Sequence, residues 1–178
     1  MKEQEILELI NERKGIRLDI GCGHVKHSGF IGMDKQELPP VDIVHDWEVY
    51  PWPLPDECVT VAIVSNVIEH IDPSNGGFIR WMDELWRVCK PGAEVAIVHP
   101  HGSSQYYLQD PTHCNPRNQD TWWYFDPESI LYLQYRPRPW HVKERFWSPA
   151  SNVEIALVKL TMDQIPKVEI DYSEEDRA

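Results

Sequence analysis

Apolar residues along the chain follow two spacings, one typical of helices and one typical of buried strands. Residues 3–13 place apolar side chains among charged ones at helical intervals, which predicts an amphipathic helix that Gly15 ends. Residues 77–89 follow the same spacing, and the Lys-Pro-Gly sequence around Pro91 predicts where that helix stops. A short helix is expected over 66–71, because an Asp-Pro pair follows it.

Short apolar runs, rich in β-branched residues, predict seven strands. They cover 16–20, 30–34, 41–46, 59–64, 93–100, 141–147 and 152–160. The run over 59–64 is apolar almost throughout, as in strands buried on both faces. The last two runs flank Ser-Pro-Ala-Ser and predict an antiparallel hairpin. The predicted fold class is therefore α/β: a Rossmann-like, mostly parallel seven-stranded sheet with helices on both faces and a C-terminal antiparallel hairpin.

The length of 178 residues suits one domain with one core, which we place at residues 1–170. Residues 100–127 are rich in proline, polar and aromatic side chains without clear periodicity, so we expect an insertion or lid over the sheet edge. A helix is predicted over 127–135, with Asp126 as its N-cap. Residues 171–178 are expected to form an acidic tail.

Charge and composition narrow the function classes. The formal net charge is −12, which repels phosphate backbones and disfavours nucleic acid as a partner. There is no apolar run long enough to span a membrane, and the charged start lacks the apolar core of a signal peptide. The four cysteines form no CxxC pair, which argues against a disulfide framework or an all-cysteine zinc site. We therefore expect a cytoplasmic protein.

Glycines and acids follow three of the predicted strands. Gly21 and Gly23 would let the backbone approach a ligand closely, since neither carries a Cβ. Asp34 ends the second strand, where a carboxylate can accept hydrogen bonds from a ribose diol. Asp46 follows the third strand and could accept from an exocyclic amine, while Trp47 offers an apolar face to a purine ring. The pattern predicts a nucleoside-shaped pocket, although Asp34 and Asp46 could each be ordinary loop acids.

Five segments in a fixed order carry a family resemblance. They are Leu18-Asp19-Ile20-Gly21-Cys22-Gly23, Phe30-Ile31-Gly32-Met33-Asp34, Asp46-Trp47, Val64-Ser65-Asn66-Val67-Ile68-Glu69-His70-Ile71 and Leu85-Trp86-Arg87-Val88-Cys89-Lys90-Pro91-Gly92. In this order they resemble the motifs of class I S-adenosylmethionine (SAM)-dependent methyltransferases, across roughly residues 16–100. Gln109-Asp110-Pro111-Thr112-His113 resembles the DPTH segment of a small, type 11-like subgroup.

The resemblance implies that SAM is the cofactor and S-adenosylhomocysteine (SAH) the product. It implies cofactor contacts from Asp19, Ile20, Gly21, Cys22, Gly23, Asp34, Lys35, Asp46, Trp47, Ser65, Asn66 and His70. For two of these residues a purely structural role is also possible. Asp19 could simply cap the glycine turn, and His70 could bond backbone carbonyls at a helix end.

The first crossover departs from the usual pattern. Only residues 21–29 join the first two strands, fewer than the dozen or so that a crossover helix needs. His24-Val25-Lys26 also stands where the third glycine of GxGxxG would fall. This counts against NAD, because its pyrophosphate binds at a helix N-terminus, whereas SAM carries no phosphate.

Methyl transfer needs an aligned acceptor and exclusion of water, and a hydroxyl or amine acceptor also needs a base. His101, His113 and Asp110 lie in the insertion beyond the fifth strand, where the methyl group is expected, so they are the catalytic candidates. Residues 110–112 would also make a good turn by themselves. The expected acceptor is a small molecule or glycan. A non-catalytic SAM-binding or interaction module and an RNA methyltransferase are the alternatives.

A metal site is a further alternative. His99, His101, Asp110, His113 and Cys114 cluster in sequence, and zinc accepts such ligands. Their HxH…HC spacing is not a standard zinc signature, so no metal is predicted.

Overall fold

One sheet organises the part of the chain that the computed structural model describes, residues 3–147 and 151–166. Its strands are β1 (Ile16–Ile20), β2 (Ile31–Asp34), β3 (Ile43–Val44), β4 (Val59–Ser65), β5 (Cys89–Pro100), β6 (Trp140–Trp147) and β7 (Asn152–Lys159). Its α-helices are α1 (Glu3–Arg13), α2 (Gly77–Val88) and α3 (Gln105–Leu108). The predicted acidic tail, 171–178, and residues 148–150 of the predicted hairpin turn lie outside the described residues.

The strand order is β3-β2-β1-β4-β5-β7-β6. The first five strands run parallel, whereas β7 is antiparallel to both β5 and β6. This arrangement confirms the predicted mostly parallel sheet with its C-terminal antiparallel hairpin. The direction of the crossovers reverses between β1 and β4, which makes the carboxyl ends of these strands the natural ligand site. Among the described residues, no helix has the length and apolarity to cross a membrane.

The core lies around the central strands. Leu18 on β1 and Val64 on β4 are fully buried, as expected for parallel strands covered on both faces. Helix α2 buries Trp81 and Leu85, because its apolar side chains repeat at helical spacing along one face. Burial of each such side chain stabilises the folded state by roughly 1.5–3 kcal/mol. The packing of the two central strands against α2 therefore holds in place the sheet edge that carries the site.

The connection from β1 to β2 contains no helix, as its length predicts. Asp19, at the end of β1, instead holds the loop through its Oδ2 atom, which accepts hydrogen bonds from the backbone N–H and ring Nδ1 of His27. Each bond is 2.8 Å long, and the Asp19 side chain is almost fully buried. A buried carboxylate therefore replaces the crossover helix as the anchor of this loop.

Four predicted elements differ from the structure. The helix expected over 66–71 is a 3₁₀ turn at Ile68–His70. Strand β3 has two residues rather than 41–46, because the Gly32 N–H of β2 donates to the Asp42 carboxylate rather than to a backbone carbonyl, so the ladder does not extend. Strand β5 begins at Cys89, since the predicted helix stop forms an irregularity within the strand and Gly92 takes a left-handed conformation (φ +75°).

The predicted helix over 127–135 is wrong in type and in cap. Residues Ile130–Gln134 form a 3₁₀ helix, and its N-cap is Ser129, whose hydroxyl accepts from the Leu131 N–H. Asp126 is fully buried, and its Oδ2 accepts the Val142 N–H of β6 at 2.7 Å. Its Oδ1 accepts the nearby Glu128 N–H at 3.0 Å, so one carboxylate joins the local turn to a strand instead of capping an α-helix.

Candidate functional site

A cleft of about 570 Å³ opens at the carboxyl ends of β1, β2 and β4. Its lining residues are Gly21, Gly23, His24, Asp34, Lys35, Gln36, Leu38, Trp47, Asn66, Val67, His70 and Thr112. Gly21 directly follows β1 and Asn66 directly follows β4. The cleft therefore lies at the point where the strand order reverses, the position where open α/β sheets bind ligands.

Asp34, at the end of β2, joins two parts of the cleft wall. Its Oδ2 accepts the Gly23 N–H and its Oδ1 accepts the Gln36 N–H, both at 2.9 Å. The residue is only 6% exposed, so these bonds fix its orientation. Each carboxylate oxygen has two acceptor positions. One position per oxygen is thus free to accept from a ligand diol.

Trp47 forms an apolar wall of the same cleft. Its residue is buried, and its carbonyl accepts the Trp52 Nε1–H at 3.0 Å, which fixes the backbone beneath the ring. The Lys35 ammonium lies 5.1 Å from the ring centroid, within cation–π range. The neighbouring Asp46 is exposed, and its Oδ1 accepts the Glu48 N–H, so its carboxylate caps a local turn beside the cleft.

Gly21 is the position where the cleft floor requires glycine. Its φ of +72° is left-handed, and a Cβ there would lie 2.2 Å from the Val67 Cγ2 atom. Its N–H donates to the Met33 carbonyl at 2.8 Å, which ties the turn to β2. Both the backbone conformation and the contact exclude a larger residue.

A second cavity, of about 540 Å³, adjoins the cleft and shares Asn66 and His70 with it. Its other lining residues are Glu69, Pro100, Tyr106, Gln109, Asp110, His113, Ser151 and Asn152. The segment after β5 reaches this position because the N–H groups of Cys114 and Asn115 both donate to the Glu69 carbonyl. The buried Asn115 amide also donates to the Ile68 carbonyl at 2.7 Å. These bonds hold the segment against the 3₁₀ turn Ile68–His70 that follows β4.

Glu69 is an acid buried in the wall of this second cavity. The residue is 1% exposed, and its Oε2 atom has no hydrogen-bond partner within the part of the chain that the structure describes. Its Oε1 atom lies 4.0 Å from Nε2 of His113, too far for a hydrogen bond. Burial raises the pKa of Glu69 to about 7, because the charged form loses its hydration there.

The two histidines beside Glu69 are each oriented through Nδ1. His113 Nδ1 lies 2.8 Å from the Tyr107 carbonyl oxygen, which only accepts, so Nδ1 carries the proton. His70 Nδ1 lies 3.1 Å from the Thr112 hydroxyl, whose single proton is donated to Asp110 Oδ1. His70 therefore donates to Thr112. Both rings keep an Nε2 lone pair.

The His70 and His113 rings meet edge to face, with centroids 4.7 Å apart. Burial and the neighbouring His113 both lower the pKa of His70, because they disfavour its cationic form. At neutral pH the His70 ring is thus neutral and able to accept a proton or bind a cation.

Comparisons with known proteins bear on this arrangement. No family model and no curated protein matches the chain. Among solved structures, a SAM-dependent methyltransferase from Archaeoglobus fulgidus aligns with a TM-score of 0.54 at 17% identity, over 89% of this chain and 95% of that one. The 16S rRNA (adenine(1408)-N(1))-methyltransferase from Catenulisporales acidiphilia aligns with a TM-score of 0.55 at 14% identity, over 90% of this chain and 92% of that one. The antibiotic-resistance methyltransferase Kmr aligns with a TM-score of 0.57 at 12% identity, over 90% of this chain and 94% of that one. The fold is that of SAM-dependent methyltransferases.

Within this methyltransferase fold, the structure brings many of the predicted cofactor residues into one cleft. These are Gly21, Gly23, Asp34, Lys35, Trp47, Asn66 and His70. The remaining ones stand beside it. Ile20 and Cys22 are buried, Asp19 holds the loop, Ser65 contacts Asn66 through its hydroxyl, and Asp46 caps its turn.

The predicted catalytic residues separate into two places. His113 and Asp110 line the second cavity, with His113 Nε2 3.8 Å from Asp110 Oδ2. His101 lies elsewhere, in a depression with Arg117, and its Nδ1 contacts the N–H and hydroxyl of Ser103. His99 is buried, and its Nδ1–H donates to the Pro100 carbonyl. The residues that cluster in sequence as metal candidates therefore do not form one site: Asp110 and His113 lie together, whereas His101 lies in another depression.

Glu69 is the site residue that the sequence reasoning missed. Its signal was an acid directly before His70, in the short turn that follows a buried strand. An acid buried at such a position needs a reason, because an unpaired carboxylate is costly there.

Proposed function

We propose that the protein is a SAM-dependent methyltransferase, with the cofactor in the cleft and the methyl acceptor in the adjoining cavity. The observation that carries this proposal is the joint placement of Asp34 and Trp47 in one cleft at the switch point of a methyltransferase fold. A diol acceptor and an apolar wall are the two features that a nucleoside needs.

The cleft matches the parts of SAM in order. Asp34 accepts hydrogen bonds from the ribose hydroxyls through its free oxygen positions, and the purine packs against Trp47. Gly21 allows the methionine portion to approach the backbone, since a Cβ would narrow the floor. Asn66 and His70, the residues common to cleft and cavity, would then lie between the bound cofactor and the acceptor.

The adjoining cavity supplies the groups that an acceptor with an ionisable proton requires. Its lining includes Glu69, Asp110 and His113, and the His113 Nε2 lone pair is free. We assign His113 to assisting deprotonation of the acceptor, while the cavity walls align it with the methyl carbon. In the transfer the acceptor atom forms a bond to that carbon, the S–CH₃ bond breaks, and SAH leaves.

The acceptor is proposed to be a small molecule or glycan, because the acidic charge of the chain disfavours nucleic acid. Two carboxylates, Glu69 and Asp110, line the cavity, and the whole chain carries a net charge of −12. Both features repel a phosphate backbone.

The test is SAH release from SAM with a panel of hydroxylated small molecules, oligosaccharides and structured RNA. Turnover with an uncharged hydroxylated acceptor supports the proposal. Turnover with RNA alone, falling steeply with added salt, would replace it with an RNA methyltransferase. Tight SAH binding without turnover on any acceptor would favour a non-catalytic SAM-binding module.

A further inference from the structure

Three ligand-type side chains meet at the wall between cleft and cavity. Glu69, His70 and His113 each present one ligand atom, and these atoms lie within 4.8 Å of one another. Two ligands of a tetrahedral zinc ion lie about 3.4 Å apart, since each bond is about 2.1 Å. The side chains must therefore close by up to about 1.4 Å per pair to reach one ion, which rotamer adjustments can supply.

We propose that Glu69, His70 and His113 bind a divalent transition-metal ion of the Zn²⁺ class. Two imidazoles and one carboxylate are a donor set that suits Zn²⁺, Fe²⁺ and Co²⁺. This set differs from the one that clusters in sequence, because only His113 belongs to both.

The histidines are oriented as metal ligands are. Histidine ligands usually donate the second ring N–H to a carbonyl or carboxylate, which fixes the tautomer and aims the lone pair. His113 donates its Nδ1–H to the Tyr107 carbonyl. His70 donates its Nδ1–H to the Thr112 hydroxyl, which in turn donates to Asp110. Both outer partners belong to the insertion, so the insertion supplies one ligand and orients both rings.

Glu69 gives an independent reason to expect a cation. Its residue is 1% exposed, yet its buried Oε2 finds no hydrogen-bond partner among the described residues, and its Oε1 lies 4.0 Å from His113 Nε2. A buried carboxylate oxygen without a hydrogen bond is costly in the charged form. A metal ion at this point would satisfy it directly.

Three protein ligands leave coordination positions open toward the second cavity, as in catalytic rather than structural zinc sites. If the proposed function holds, the open position takes the acceptor hydroxyl beside the SAM methyl. Coordination lowers the pKa of a bound oxygen. The hydroxyl proton then passes to solvent, the oxygen bonds the methyl carbon, and SAH leaves. His113 assists deprotonation through the ion it holds.

A second cluster provides a control. Asp126, Glu128 and His141 also place ligand atoms within 4.8 Å of one another. Asp126 is already satisfied there, because its two oxygens accept the N–H groups of Glu128 and Val142. That cluster therefore lacks the orphan carboxylate, and we expect no binding from it.

The experiment is a Co²⁺ titration of chelator-treated full-length protein, followed by visible absorption and then by competition with Zn²⁺. We expect one equivalent to bind with a d–d band, and Zn²⁺ to displace it. Glu69→Gln and His113→Ala should each weaken binding at least tenfold, the usual scale for a lost ligand or its support. His101→Ala and His141→Ala should bind as wild type does.

Circular dichroism and thermal unfolding show whether each variant is folded, and His113→Gln serves if His113→Ala is not. Absence of Co²⁺ binding to wild type, or equal binding by folded Glu69→Gln, overturns the proposal. Loss of binding in His141→Ala would place the ion at the other cluster and overturn it as well. SAH titration separates this result from the proposed function, since Asp34→Ala should lose SAH and keep Co²⁺.

Discussion

A single oxygen of Asp19 accepts two hydrogen bonds from His27, one from the backbone N–H and one from ring Nδ1, each 2.8 Å long. The two residues stand at opposite ends of the loop that joins β1 to β2. Because this loop has no helix to define it, the Asp19 carboxylate holds its later part, while the Met33 carbonyl and the Asp34 carboxylate hold Gly21 and Gly23 at the cleft floor.

Asp19→Ala should lower the free energy of unfolding by about 2 kcal/mol, since hydrogen bonds to a charged group contribute roughly 1.5–3 kcal/mol. His27→Ala is the matched control, because it removes the half-exposed ring and keeps the backbone N–H. We expect it to cost under about 1 kcal/mol. Urea denaturation of both variants measures the difference. Equal costs would mean that the ring, not the backbone bond, holds the loop.

Gly21→Ala should destabilise the protein and abolish SAH binding, because its Cβ would collide with Val67 and its φ of +72° is left-handed. Gly23→Ala shares the positive φ of +51°, yet nothing lies within 4 Å of its Cβ. It should therefore cost only about 1–2 kcal/mol. Thermal unfolding and SAH titration compare them. If Gly21→Ala binds SAH normally, the cofactor does not use this floor.

The sheet could be predicted from the sequence because its strands are local patterns. Gly21 and Asp34 mark strand ends by residue type alone, and the structure places them in one cleft. The proximity of His113 to Glu69 could not be predicted, because it depends on how residues 101–127 pack against the turn that contains Glu69. The bonds that bring it there run from Cys114 and Asn115 to one backbone carbonyl, which no periodicity encodes.

At Asp126 the sequence predicts a helix cap that the structure does not contain. The Asp-Pro pair that it forms with Pro127 is a sound local signal for a helix start. In the structure its Oδ1 accepts the local Glu128 N–H while its Oδ2 accepts the Val142 N–H of β6 at 2.7 Å, and the helix that follows is a 3₁₀ turn capped by Ser129. The second bond is tertiary and cannot be read from local sequence.

The free energy of unfolding should fall in mild acid because of His99. Burial lowers its pKa to about 4, from about 6.5 in the unfolded chain. Its stabilising effect is therefore complete above pH 6.5 and is lost as pH falls toward 4, because only the unfolded chain binds the proton in that range. Between pH 7 and pH 5 the loss is about 2 kcal/mol.

His99→Leu removes that titration and serves as the comparison. It loses the bond to the Pro100 carbonyl and so starts less stable, but its unfolding free energy should change less between pH 7 and pH 5. Urea midpoints at the two pH values give the answer. The same pH dependence in wild type and variant would show that another group controls acid stability.

His113→Ala should reduce methyl transfer at least a hundredfold on any acceptor found, the lower end of the range for loss of proton-transfer assistance. His101→Ala should keep wild-type turnover, because its ring lies outside both cleft and cavity. Steady-state SAH release compares the two variants. If His101→Ala loses turnover and His113→Ala keeps it, the acceptor binds beside His101 instead.

The central claim is that the cleft binds the SAM nucleoside, and calorimetric titration of SAH tests it most directly. We predict micromolar binding to wild type, loss of at least thirtyfold in Asp34→Ala, and no change in Asp163→Ala, an exposed acid outside the cleft lining. Circular dichroism and thermal unfolding of Asp34→Ala show whether any loss is due to misfolding. Folded wild type that does not bind SAH, or Asp34→Ala that binds it equally well, would contradict the account.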